Sequence, residues 1–201
     1  MLAIIDYKVG NIQSIVNAFN HITDKIILTN DEKIIKDADH IVLPGVGAFG
    51  KSMDNLEKSN LIPLILDQIK IGKPLLGICL GMQMLLSESE EMGFYKGLNA
   101  VPGKVIRFQD GKDKIPQIGW NNIEFKKPAL FKGIKEGSMF YFVHSYYTIP
   151  NDFENVAGIT EYNGIKYCSA IEKDNVFATQ FHPEKSGEAG LKILQNFLNV
   201  K

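Results

Sequence analysis

Three short stretches of this 201-residue chain carry residue types and spacings suited to covalent chemistry. The first is Gly77-Ile78-Cys79-Leu80-Gly81, set between an apolar run that predicts a strand (Leu75–Ile78) and one that predicts a helix (Leu80–Ser87). A nucleophile flanked by glycines at a strand-to-helix turn sits on a sharp elbow in a strained backbone conformation. Gly77 and Gly81 carry no β-carbon, so neighbouring chain can approach closely. The thiol lies at a helix N-terminus, where backbone dipoles favour the thiolate. The Leu80 amide points to where an oxyanion would form. The competing reading is an inert, buried cysteine in a tight turn.

The second stretch is Val176–Lys185, in which an apolar strand delivers His182 at its end and Pro183-Glu184 follow. A nucleophilic thiol needs an imidazole to take its proton and return it to a leaving amine. Glu184 is placed to orient that ring through its other nitrogen, and Pro183 limits the geometries of the pair. His144 ends another apolar run, Phe142-Val143-His144, and competes for the role of base; His21 and His40 read as structural. The acidic neighbour ranks His182 first. The third stretch, Pro44-Gly45-Val46-Gly47-Ala48-Phe49-Gly50, follows a buried run, and its glycines can turn an amide into a pocket. The Val46 or Gly47 amide, with that of Leu80, would complete an oxyanion site. Two other readings stay open. A phosphate cradle is one, although the loop lacks the Gly-Lys-Ser/Thr ending of a P-loop. A merely flexible turn is the other.

The elements that must position these residues alternate in the first half. Apolar runs at Leu2–Asp6, Lys25–Leu28, His40–Leu43 and Leu75–Ile78 predict strands, separated by helical patterns at Asn11–Ile22, Asp31–Lys36 and Leu61–Ile71. Strands apolar throughout, alternating with helices, imply a parallel sheet covered on both faces. The second half holds short strand patterns at Val101–Phe108, Asn121–Phe125, Phe140–Val143, Val156–Thr160, Lys166–Ile171 and Val176–Thr179, implying antiparallel additions or a small second sheet. Gly190–Val200 predicts a closing helix. Glu88, Glu90 and Glu91 read as a solvated helix end, not a metal site, and Cys168 as a small core residue. The length suits one domain over residues 1–201.

The net charge of −1 provides no field to recruit nucleic acid or an anionic membrane. The two cysteines form no metal-binding or redox spacing, and no metal or other cofactor is called for. The N-terminal apolar run is too short for a signal peptide, and no run is long enough to span a membrane. The chain reads as a cytoplasmic protein with reduced thiols.

Together Pro-Gly-Val-Gly, Gly-Ile-Cys-Leu-Gly-Met-Gln and Gln-Phe-His-Pro-Glu-Lys-Ser resemble the class I, triad-type glutamine amidotransferases. The likeness runs from Asp6 to Ser186. Ile118-Gly119-Trp120-Asn121 and Tyr141–Tyr146 make it similar in particular to the glutaminase subunits of imidazole glycerol phosphate synthases. The resemblance implies a flavodoxin-like, three-layer α/β/α fold, mainly parallel with antiparallel additions in the C-terminal half. It implies a triad of Cys79, His182 and Glu184 acting on L-glutamine, and an oxyanion strand of Gly45, Val46 and Gly47. Gly45, Gln83 and the backbone near Ser145 and Tyr146 would hold the substrate. A (β/α)8-barrel cyclase would be the heterodimer partner and receive the ammonia, with Asn11, Trp120, Tyr141 and Lys185 at or near the docking face. One departure is Gln117, where the family usually has His; Gln hydrogen-bonds but carries no charge, and this bears on the partner contact. Related glutaminases feed sugar-modifying amidotransferases of surface-polysaccharide pathways. A cysteine hydrolase of γ-glutamyl compounds or peptides, and a catalytically silent binding module, are the further alternatives.

Overall fold

The computed structural model describes residues 1–8, 10 and 12–200. In chain order the first half contains β1 (Leu2–Ile5), α1 (Gln13–Asn20), β2 (Ile26–Thr29), α2 (Glu32–Asp37), β3 (His40–Leu43), α3 (Phe49–Lys58), α4 (Leu61–Lys70), β4 (Leu75–Ile78) and α5 (Leu80–Met84). The second half contains β5 (Glu88–Ser89), β6 (Tyr95–Lys96), β7 (Gly103–Arg107), β8 (Gln117–Asn122), β9 (Glu124–Phe125), α6 (Pro128–Phe131), β10 (Met139–His144), β11 (Tyr146–Pro150), β12 (Val156–Tyr162), β13 (Ile165–Lys173), β14 (Val176–Thr179) and α7 (Gly187–Leu198).

Five strands in the order β2-β1-β3-β4-β14 form the parallel heart of a large sheet. Successive residues of a strand face opposite sides. Leu2 and Ile4 therefore enter one core with Ile15 and Phe19 of α1 and Leu194 and Phe197 of α7. Ala3 and Ile5 enter the other, with Ile35 of α2, Met53 and Leu56 of α3, and Leu64 and Ile65 of α4. Helices on both faces give the three layers that the apolar strands imply. Beyond β14 the pairing turns antiparallel through β13 and β11 to β7, and β12 hydrogen-bonds β13. β8 and β10 pair separately as a two-stranded antiparallel sheet. Both forms expected of the second half, additions to the sheet and a small second sheet, are thus present. Among the described residues no helix is long and apolar enough to cross a membrane.

Several elements depart from the sequence reading. Helix α3 replaces part of the expected glycine loop: Phe49, Met53 and Leu56 recur at helical spacing and are buried. The helix predicted over Leu80–Ser87 stops at Met84. Leu85 and Leu86 are fully buried, and their backbone serves the loop at 97–101 instead, through bonds such as Val101 N–H to Leu85 O and Asn99 N–H to Leu86 O. The acidic run is not a helix end: Glu88 and Ser89 form β5, paired to β7 and β6. β6, α6 and β11 are also absent from the sequence expectation. By contrast Asp31 caps α2 as its position suggests, its carboxylate accepting from the Lys33 and Ile34 amides at 2.8 and 3.2 Å.

Candidate active site

The C-terminal ends of β3, β4 and β14 lie side by side, where open parallel sheets place their ligands. β4 ends in Cys79, whose backbone has φ 53° and ψ −109°. A non-glycine residue there is strained by roughly 1–3 kcal/mol. Surrounding contacts hold it: the Cys79 amide donates to Thr179 O at 2.7 Å, and helix α5 begins at the next residue. The glycines explain themselves by what a β-carbon would strike. At Gly81 it would sit 2.0 Å from the Leu43 carbonyl oxygen, and at Gly45 2.3 Å from the Gly81 nitrogen. The loop after β3 and the nucleophile elbow therefore touch backbone to backbone. The buried Tyr7 hydroxyl anchors that loop, donating to Pro44 O at 2.6 Å.

β14 delivers His182. The His182 amide donates to Tyr141 O at 2.9 Å. Ser186 Oγ donates to the His182 carbonyl at 2.6 Å and accepts from the Tyr141 amide at 3.0 Å. The turn at Pro183–Lys185 folds Glu184 back so that its Oε1 lies 2.7 Å from His182 Nδ1, with both side chains buried. With Nδ1–H given to the carboxylate, Nε2 is the nitrogen left for the nucleophile. Burial discourages charge on this ring. The Cys79 thiolate, by charge and hydrogen bond, and then Glu184 outweigh burial and push His182 up to about 10. The ring is thus held in its protonated form beside the Cys79 sulfur and braced by a carboxylate.

Cys79 and His182 open into one cavity of about 410 Å³, which is also lined by Gly45, Val46, Gly47 and Leu80. Gly47 takes φ 99°, a left-handed conformation suited to glycine. The elbow and the loop thus line the same cavity as the sulfur, which is where an oxyanion site would have to be built. A cysteine, a histidine held by a carboxylate and a glycine-rich backbone in one cavity are the parts that acyl transfer requires.

A family model described as glutamine amidotransferase class-I matches residues 3–200. The chain belongs to that family. It is 52% identical over 201 residues, all of both chains, to "Imidazole glycerol phosphate synthase subunit HisH" of Chlorobium chlorochromatii. It is 50% identical to the protein of the same name from Chlorobaculum tepidum, covering 98% of each chain. Among solved structures, PurLQS from Thermotoga maritima aligns with a TM-score of 0.73 at 22% identity, covering 98% of this chain and 97% of that one.

In this class-I amidotransferase the substrate residues expected from the sequence, Gly45, Gln83, Ser145 and Tyr146, all line the cavity. Gln83 Nε2 donates to Tyr146 O and to Gln180 Oε1, both at 3.0 Å, so its carbonyl oxygen is the end left for a ligand. His144, the competing base, is engaged elsewhere. Its Nδ1 lies 2.8 Å from Tyr146 O and its Nε2 3.2 Å from the Tyr167 hydroxyl. Burial pushes it down to about 4. Trp120, Tyr141 and Lys185 form one cluster: the Trp120 and Tyr141 rings meet edge to face at 6.0 Å, and Lys185 Nζ sits 5.8 Å from the Tyr141 ring centre. Trp120 is 54% exposed and Ile118 beside it 63%. Asn11 lies outside the described residues. Gln117 does not face this cluster. It is buried and accepts from the Tyr167 hydroxyl at 2.9 Å, so its departure from the family pattern falls in the interior.

Sequence reasoning missed two residues of this site. Glu91 lines the cavity, and its carboxylate accepts from the Phe49 amide at 2.8 Å, holding the start of α3 beside the loop. Burial raises its pKa and the Phe49 bond opposes that rise. No local pattern marks it, because its partners are 42 residues away. Gln180 places Nε2 3.7 Å from Cys79 Sγ; a glutamine between an apolar strand and Phe181 was the available signal.

Proposed function

We propose that residues 1–201 form one glutaminase domain, with Cys79, His182 and Glu184 as its triad. The chain is a glutamine-hydrolysing enzyme, the glutaminase subunit of imidazole glycerol phosphate synthase in histidine biosynthesis. The observation that carries the assignment of roles is the 2.7 Å His182–Glu184 pair set against the Cys79 sulfur. The thiolate attacks the side-chain carbonyl carbon of L-glutamine, and the Leu80 amide with that of Val46 or Gly47 receives the oxyanion. His182 gives its proton to the amide nitrogen, the C–N bond breaks, and ammonia leaves a glutamyl thioester. Acylation removes the sulfur's charge, the chief influence raising His182. The ring can then act as a base, taking a proton from the water that attacks the thioester and keeping it, so that the C–S bond breaks, glutamate leaves and the thiolate–imidazolium pair is restored. The Glu91 carboxylate and the Gln83 carbonyl oxygen, both of residues that line the cavity, suit the substrate's α-ammonium group.

The ammonia acceptor is a (β/α)8-barrel cyclase subunit, docked over Trp120, Tyr141 and Lys185, and the pair works in the cytoplasm. The expected result of Cys79→Ala is loss of glutamine-dependent synthesis by the assembled synthase, while synthesis from added ammonium continues. Glutamine hydrolysis surviving in that variant removes Cys79 from the mechanism; ammonium-dependent synthesis lost with it would mean that the substitution disrupted the assembly.

A further inference from the structure

Resting on Cys79 as nucleophile, we propose that Gln180 is a second donor to the reacting sulfur, and so a catalytic residue of the glutaminase. Gln180 follows β14, two residues before the base, and is fully buried. Its backbone amide donates to Ser169 O at 2.9 Å, which fixes the main chain. A side-chain amide without access to solvent must find partners inside. The partners here settle which way it points. Gln83 turns one terminal atom toward the Tyr146 carbonyl oxygen at 3.0 Å. A carbonyl oxygen only accepts, so that atom is the Gln83 nitrogen. The same nitrogen lies 3.0 Å from Gln180, which must answer with its oxygen. The Gln180 nitrogen is thereby directed at Cys79 Sγ, 3.7 Å away.

An N–H aimed at sulfur favours the anion over the neutral thiol. Unlike His182, Gln180 has no proton to surrender, so it holds the sulfur's charge without entering the proton transfers. Its effect is greatest where sulfur is anionic, before attack and again as the thioester breaks. Through Gln83, which lines the cavity, a bound substrate contacts the same short chain of amides that ends at the sulfur. The reactive atom and the binding pocket are connected by two glutamines.

Gln180→Met keeps the length of the side chain and removes the donor. Alkylation of Cys79 by iodoacetamide at pH 7, followed by mass spectrometry of the full chain, is expected to slow about tenfold. The midpoint of its pH profile is expected to move upward. With glutamine as substrate kcat should fall by about the same factor, with KM changed less than about twofold, as for an interaction with the reacting atom. Cys168, buried and with its thiol pushed up to about 12, does not compete for the reagent. A variant that melts cooperatively but alkylates at the unmodified rate and midpoint overturns the proposal. A measurement on the unsubstituted chain covers a variant that does not fold: the Gln180 side-chain amide proton, followed by NMR, should titrate with the midpoint of Cys79 alkylation. A resonance that ignores that titration also overturns it. If Cys79→Ala still hydrolyses glutamine, the nucleophile assignment fails and this one with it. If Cys79→Ala is inactive while Gln180→Met alkylates normally, only the role of Gln180 is lost.

Discussion

Two regions of the molecule each bury one cysteine and one histidine, and they hold them in opposite electrical states. Around the end of β4, His182 has the Cys79 sulfur and a carboxylate for neighbours and, against its burial, is pushed up to about 10. Around β11 and β13, His144 has a backbone carbonyl and a tyrosine hydroxyl for neighbours and is pushed down to about 4. Cys168, which follows Tyr167 on β13 and packs into the other core, donates to Ala170 O at 3.2 Å, and burial drives its thiol up to about 12. Depth alone does not separate the pairs, since all four residues are buried. The difference lies in the partners. A carboxylate two residues from the ring, and a sulfur set on an elbow at a helix start, turn the same residue types into an ion pair; neutral partners leave the second set uncharged.

The sharpest contrast comes from removing each thiol. Cys79→Ala should lower glutamine turnover by at least roughly 10⁴-fold. Cys168→Ala should leave turnover within about twofold and cost about 1 kcal/mol in denaturant unfolding, the loss of one buried atom. Equal kinetic losses in the two variants would erase the distinction. Next in size, Glu184→Gln should reduce kcat by about 10³-fold, because the ring loses its orienting charge. The same substitution should show in the pH profile. In the unsubstituted enzyme kcat/KM falls as the pH rises through about 10, where the imidazolium gives up its proton. Without Glu184 that limb moves to lower pH.

The neutral region responds to acid. Folded His144 resists protonation down to about 4, against 6.5 ordinarily. Between those values the unfolded chain binds the extra proton. The stability from neutral His144 is therefore whole above pH 6.5 and is lost as pH falls toward 4. Urea midpoints measured across that window should fall with pH, and less steeply in a His144→Gln variant. The smallest effect belongs to Tyr167→Phe, which removes the hydroxyl between His144 and Gln117. It should cost about 1–2 kcal/mol of stability and change kcat by less than about threefold. A loss of activity as large as that of Glu184→Gln would mean that the second region serves catalysis after all.

The charged region was legible because each of its parts is local in sequence. The elbow is five residues long, and His182 and Glu184 are separated only by Pro183. The parallel sheet was legible because its strands are apolar on both faces. What escaped depends on contacts across the chain. Helix α3 was hidden behind the preceding glycines, and its first amide, that of Phe49, donates a hydrogen bond to Glu91, far along the sequence. Glu91 itself was misread because an acidic run on the surface and one folded over a cavity have the same composition. β11 holds Tyr146 and Thr148 by pairing with β7 and β13, and alternation alone did not reveal it. Gln117 was assigned toward the partner by analogy, whereas its strand turns that side chain inward and the exposed Trp120 outward.

The backbone contact of Gly45 with Gly81 has a practical corollary for anyone redesigning substrate preference. Even a methyl group at either position would strike main-chain atoms within 2.3 Å, so neither position can be used to resize the pocket. Variation belongs at Pro116 and Val143, which also line the cavity, where a library can change which amide is admitted without moving the nucleophile from its cradle.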